Sequence, residues 1–425
     1  MSSLVLEILT FENGERYPVL VDEAGVPHFY VTLWVTSRLR STGKTLSTIT
    51  NKIYQVKRLL EWEKKENKHL FREFQKGEFL NLNEIESLRA FASVNLHSQR
   101  LNKNSQRKKT IKNGKVVVSQ ELIQGNGNSH LYNTMTSITA YLVFLAQLAR
   151  QFNSTPESNR EIEDMERLLK ASRPKAKGSY IAKRHLDVPR DLLRDFMRIA
   201  DHNHPNNPFK DESIRFRNHL MFLLLEHLGI RKGEMLSIRL SHLMLHGSDK
   251  HIWVMRTHDD VYDRRSKQPV TKTKERKLAI SSYIAKQVDH YIINYRSKVS
   301  NSKKHPYLFV THRAGLHQGY PISNSSFDNT IMPLMKSVDS RFSLIYPHFF
   351  RHDWNERFSE SVDKKNSDEK KLGNQISADK EAKMRKHQMG HQLEASSNIY
   401  NERHITRKAN ELCLEEQEFL EHQKK

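Results

Sequence analysis

A chain of 425 residues is long for one ordinary domain, and 37% hydrophobic with 28% charged residues is enough to bury more than one core. Its 70 Lys and Arg against 49 Asp and Glu leave a formal charge of +21, a field that favours a polyanion, with nucleic acid first and a membrane surface second. No stretch approaches the ~20 apolar residues of a spanning helix, the first residues lack the basic start of a signal peptide, and the single cysteine, Cys413, excludes an intrachain disulfide or a cysteine zinc cluster.

Residues 1–30 alternate around Asn13-Gly14, a hairpin signature, and predict a small β-hairpin extension. It is either a DNA-contacting arm or a structural addition. Residues 31–172 predict a mainly helical domain. Ile49, Ile53, Val56 and Leu60 make one apolar helix face, with Lys52, Lys57 and Arg58 on the remainder as candidate DNA contacts, like the cations of the loop and linker that follow. A helix at 83–96 follows, then a polar loop whose cations include Arg107, Lys108 and Lys109. Such a run is either a solvated face or a phosphate-contacting loop. Residues 132–152 read as a helix with Ile138, Leu142, Leu145 and Leu148 as its core stripe, Tyr141 and Phe144 packing beside them, and another helix covers 157–171. Residues 173–187 carry Pro174, Gly178, Lys175, Lys177, Lys183 and Arg184 and read as a basic linker.

Residues 188–425 predict a second domain, so the fold class is mainly α with a small antiparallel sheet. Helices are expected at 188–200, 218–228, 282–296 and 327–336, with strands at 252–255 and 277–280. A middle strand around 269–273 or a plain hairpin loop joins the two strands. His258, Asp259, Asp260 and Asp263 lie in that loop without ligand spacing, so a solvated turn is expected there rather than a metal site.

Six residues of the second half carry chemistry. Arg231 follows a glycine in GIRKGE, with Glu234 three residues on to orient a cation, and Lys272 lies in TKTKER beside a strand. His348 and Arg351 of HFFRH are three apart, so a helix shows them on one face. His391 ends MGH, and Tyr400 lies nine residues beyond. Cations to hold phosphate oxygens, imidazoles to move protons and a phenol to attack phosphorus together suit phosphodiester exchange through a covalent intermediate.

The order Arg, Lys, His-x-x-Arg, His, Tyr resembles the tyrosine recombinase (phage-type integrase) family over the C-terminal half. The resemblance implies a helical core DNA-binding domain joined to a catalytic domain. It implies Tyr400 as the nucleophile forming a 3′-phosphotyrosine, Arg231 and Arg351 on the non-bridging oxygens, Lys272 protonating the 5′ leaving oxygen, and His348 and His391 assisting. Lys274 and Lys277 are the alternatives to Lys272. Residues 359–386 exceed the family's usual length and read as an inserted surface loop. Also implied are double-stranded DNA as partner, a homotetramer on synapsed sites from a monomer or weak oligomer, accessory DNA-bending proteins, and no cofactor. The expected setting is a bacterial cytoplasm at the nucleoid, with integration and excision of a mobile element. A type IB topoisomerase shares this chemistry, and a non-catalytic DNA-binding module could share the fold. The tail after Tyr400 reads as an amphipathic helix that docks on a neighbouring protomer or on its own domain.

Overall fold

The computed structural model describes residues 4–94, 127–174, 188–269, 271, 273–367, 375–390 and 408–417. The chain divides into two compact units, Met1–Thr10 with Arg16–Ser179, and Phe11–Glu15 with Tyr180–Lys425. Among the described residues no helix is long and apolar enough to cross a membrane.

In the first unit, β1 (Val5–Thr10) and β2 (Arg16–Val21) pair antiparallel, with Gly14 at φ +83° in the turn. Strand β2 is buried along its whole length, so the hairpin forms part of the unit's core. Helices α1 (Phe29–Trp34), α2 (Leu46–Lys65), α3 (Leu70–Lys76), α4 (Leu82–Ser93), α5 (Asn128–Arg150) and α6 (Pro156–Ala171) surround that core. Thr45, Asn81 and Thr155 supply side-chain N-caps to α2, α4 and α6. On α2 the buried stripe is Ile49, Ile53, Val56, Leu59 and Trp62. The expected Leu60 is only half-buried, because 3.6-residue periodicity swings the stripe to Leu59 once Trp62 supplies the next contact. Tyr141 and Phe144 of α5 are buried packing residues.

The second unit holds α7 (Arg190–Ala200), α8 (Glu212–Leu228), the short α9 (Lys232–Leu236), the sheet, α10 (Ser282–His290), α11 (Pro347–Asn366) and α12 (Ala378–Met389). The sheet has antiparallel order β3 (Leu243–Met244), β4 (His251–Val254), β5 (Arg276–Ala279). Of residues 269–273, those described form no strand. Helix α8 lies in the core, with Leu220 to Leu225 all buried, as the near-continuous apolar run requires.

Two loop readings are corrected here. The described residues of 359–386 are mostly helical rather than a loop: α11 runs through to Asn366, and α12 begins at Ala378. Arg385 is buried and donates to the Asn355 carbonyl at 3.0 Å, to Asn355 Oδ1 at 3.2 Å and to Ser359 Oγ at 2.6 Å. These bonds clasp α12 to α11. The turn at 258–263 is not simply solvated either. Asp260 and Asp263 are buried; Asp263 takes a two-pronged bond from Arg265 at 2.8 Å on each oxygen, and Asp260 accepts from Arg239 and Tyr307. Burying a carboxylate demands such cationic partners.

Candidate active site

Helix α8 terminates at Gly229, whose φ of +58° closes its last turn in the left-handed region. A Cβ there would also stand 2.7 Å from the Trp354 ring, so both backbone and space require glycine. From the second turn of α11, Arg351 reaches this end of α8. It is fully buried, donating Nη1 to the Gly229 carbonyl at 2.9 Å and Nη2 to the Met389 carbonyl at 2.8 Å. Met389 closes α12, and Gly390 follows at φ +63°. One guanidinium thus ties together the pieces that carry GIRKGE, HFFRH and MGH. Pro347 at the start of α11 is preorganised for a first helical turn. That turn carries His348, half-buried and edge-on to His352 at 5.0 Å between ring centres.

Glu234 is the second hub. Arg231 caps α9, giving its backbone N–H to Glu234 Oε2 at 3.0 Å and its Nη1 to Oε1 at 3.4 Å. The Glu234 side chain is fully buried, whereas that of Arg231 is 27% exposed. Arg276 Nη2 at 2.8 Å and Thr273 Oγ1 at 2.6 Å complete the carboxylate's contacts. Burial pushes the Glu234 carboxyl up, but the charges of Arg276 and Arg351 and the bonds from Arg276 and Thr273 outweigh it and hold it at about 2.

Arg276 extends this hub to the end of α12. Its Nε donates to the Gln388 carbonyl at 2.7 Å and its Nη1 to Thr273 Oγ1 at 2.9 Å. The Lys274 N–H donates to the Gly390 carbonyl at 3.0 Å. At Gly390 an added Cβ would meet Thr273 Cβ and Arg276 Nη1, each at 2.8 Å. The loop that contains position 272 is therefore laced to the turn that leads into position 391. Lys274, Glu275, Arg276, Lys383, Lys386, His387 and Gly390 line a cavity of about 380 Å³ there, mostly cationic.

Residues 194–366 match the model of the phage integrase family. Over that stretch the chain is similar to the phage integrase family, whose members are tyrosine recombinases. No curated protein matches this chain at a significant level. Among solved structures it is similar to XerA recombinase at 15% identity, covering 88% of this chain and 92% of that one with a TM-score of 0.32. It is similar to XerH site-specific recombinase bound to a palindromic difH substrate in a post-cleavage complex, at 11% identity over 91% and 94% with a TM-score of 0.43. The Tn1549 transposon integrase in complex with transposon right end DNA is similar at 12% identity over 74% and 99%, with a TM-score of 0.35.

Arg231, Glu234, His348 and Arg351 lie in the described residues, whereas Lys272, His391 and Tyr400 lie outside them. Their described neighbours Thr271, Thr273 and Gly390 are all buried. Lys277 belongs to the other face of β5 from Arg276 and pairs with Asp249. That directs it away from Glu234. Lys274 lines the cationic cavity. Arg276 itself escaped sequence reasoning, although the strand's alternation marks it: Arg276 and Leu278 are buried while Lys277 and Ala279 are exposed. A buried arginine on a strand's inner face needs an acid, and Glu234 is that acid.

Of the cations expected at DNA, three are described, and each is engaged within the first unit. Lys52 Nζ meets Ser137 Oγ at 3.2 Å, Lys57 Nζ donates to the Leu4 carbonyl at 2.6 Å, and Arg58 donates to the Phe91 carbonyl at 2.6 Å while lying over the Phe91 ring. Arg58 serves packing there, closing the C-terminal end of α4. Arg107, Lys108, Lys109, Lys175, Lys177, Lys183 and Arg184 lie outside the described residues.

Proposed function

We propose that this recombinase cuts and rejoins duplex DNA through a covalent phosphotyrosine on Tyr400. The Tyr400 phenol loses its proton and its oxygen attacks the scissile phosphorus. The P–O bond to the 5′ oxygen breaks as the P–O bond to tyrosine forms, leaving a 3′-phosphotyrosine, and Lys272 delivers a proton to the departing 5′ oxygen. Arg231 and Arg351 neutralise the non-bridging oxygens, and His348 and His391 assist proton transfer. Preorganised donors of this kind are worth about 10²–10³ each in rate. Attack by a 5′ hydroxyl from a second duplex reverses the sequence of bonds, so joining consumes no nucleotide.

The observation that best supports this reading is Arg351 bonded at once to Gly229 and Met389. It gathers the flanks of motifs more than a hundred residues apart in sequence, the arrangement a composite phosphoryl-transfer site needs. The reading includes double-stranded DNA as partner, 173–187 as a basic linker, the cations of 107–109 and 173–187 on the DNA phosphates, and four protomers on two synapsed sites. The biological setting is integration and excision of a mobile element.

The test is a nicked duplex carrying the element's end sequences, incubated with wild type and with Tyr400→Phe in EDTA. Wild type is expected to give a protein–DNA adduct that survives SDS, and Tyr400→Phe none. No adduct from wild type despite tight binding would overturn the catalytic reading. An adduct from the variant would move the nucleophile to another tyrosine.

A further inference from the structure

We propose that Asp201, His202 and His219 form a site for a zinc-class divalent ion that clips the end of α7 to the middle of α8. Each residue offers one ligand atom, and those atoms all lie within 4.8 Å of one another. His202 Nδ1 is 3.8 Å from Asp201 Oδ1. Donors ~2.0–2.1 Å from a tetrahedral ion stand roughly 3.4 Å apart, so closing the site takes about an ångström of side-chain adjustment.

A second, independent observation points to a ligand. The Nδ1 atoms of both His202 and His219 are buried with no hydrogen-bond partner, and His219 is only 6% exposed. Buried polar atoms are nearly always satisfied, so two orphaned imidazole nitrogens on rings 5.5 Å apart between centres, with Asp201 at hand, call for a missing partner. The His202 ring is further held against Phe216, 4.8 Å between centres.

Two imidazole nitrogens and one carboxylate oxygen suit zinc, cobalt or nickel and not magnesium or calcium. Water would fill the fourth position. His219 precedes Gly229 by ten residues, about 15 Å along α8. The ion is thus remote from the Arg351 hub and takes no part in phosphoryl transfer; it stiffens the helix on which that hub is built.

Full-length chain, stripped with EDTA and dialysed, would be titrated with Co²⁺ and followed in the visible range, then with Zn²⁺ and followed by thermal melting. One equivalent of Co²⁺ is expected to raise d–d bands that Zn²⁺ abolishes, and Zn²⁺ is expected to raise Tm. His202→Gln is expected to lose that equivalent and the Tm gain while keeping its far-UV circular dichroism. His219→Gln should do the same if it folds; His202, being partly exposed, carries the test if it does not. Absence of bands and of a Tm shift in wild type would overturn the site, leaving a water-bridged histidine pair. Unchanged stoichiometry and Tm gain in His202→Gln would equally overturn it, by assigning the metal to other histidines.

Discussion

Glu234 is a carboxylate with no exposed side-chain surface, serving two arginines and a threonine. Glu234→Gln keeps the shape but leaves Arg276 buried without a counter-charge, and breaking such a pair costs about 3–5 kcal/mol. Urea unfolding should show a loss of that size. The same carboxyl also predicts a pH signature. Its folded pKa of about 2 lies below the unfolded value of ~4.3, so its stabilisation is complete above pH ~4.3 and lost as pH falls towards 2. Between those values the stability of wild type should fall more steeply than that of Glu234→Gln, and parallel curves would contradict the assignment. At this scale the sequence was only partly legible. Arg231, Glu234, His348 and Arg351 could be picked out because each sits in a short motif with fixed spacing. Arg276 could not be picked out from composition, since it stands among lysines; only the inward register of β5 separates it from Lys277.

The elements show a different limit. Hydrophobic periodicity located α2, α5, α7 and α8, whose buried faces are apolar. Length and polar composition made 359–386 read as a loop because the α11 face that meets α12 is polar, with Arg351, Asn355 and Ser359 buried. Arg385 from α12 satisfies that face through hydrogen bonds, and no hydrophobic pattern announces such an interface. Arg385→Ala should therefore release α12 from α11 and cost several degrees in Tm, with adduct formation falling in parallel, because α12 delivers Met389 to Arg351. The glycine that ends α12 makes a sharper prediction. Gly390→Ala forces a side chain into the left-handed region and into Thr273 and the Lys274 carbonyl, at 2.8 and 3.0 Å. The backbone must give way between the 273–276 loop and α12. Adduct yield is expected to drop at least about tenfold, while duplex binding measured by gel shift stays close to wild type. An equal loss of both would mean that the substitution unfolds the unit.

For the molecule as a whole, the charge of +21 predicts duplex affinity that falls steeply with salt. With 6–10 phosphate contacts the fall is about 10³–10⁵ between 50 and 200 mM. Lys108→Gln with Lys109→Gln should flatten the plot of log affinity against log salt, whereas Lys57→Gln should not, since its ammonium already serves the Leu4 carbonyl. The tail adds a separate expectation. Residues 408–417 are helical and exposed throughout, and Leu412 and Leu414 remain 65% and 57% exposed. Two leucines left in water on one short helix favour a partner surface over a solvated end. Docking on a neighbouring protomer buries them only when several chains share one DNA, so truncation after residue 404 should leave single-site binding intact. Sedimentation of the chain on paired sites should then show smaller assemblies than wild type forms. Assemblies of unchanged size would assign the tail to its own protomer.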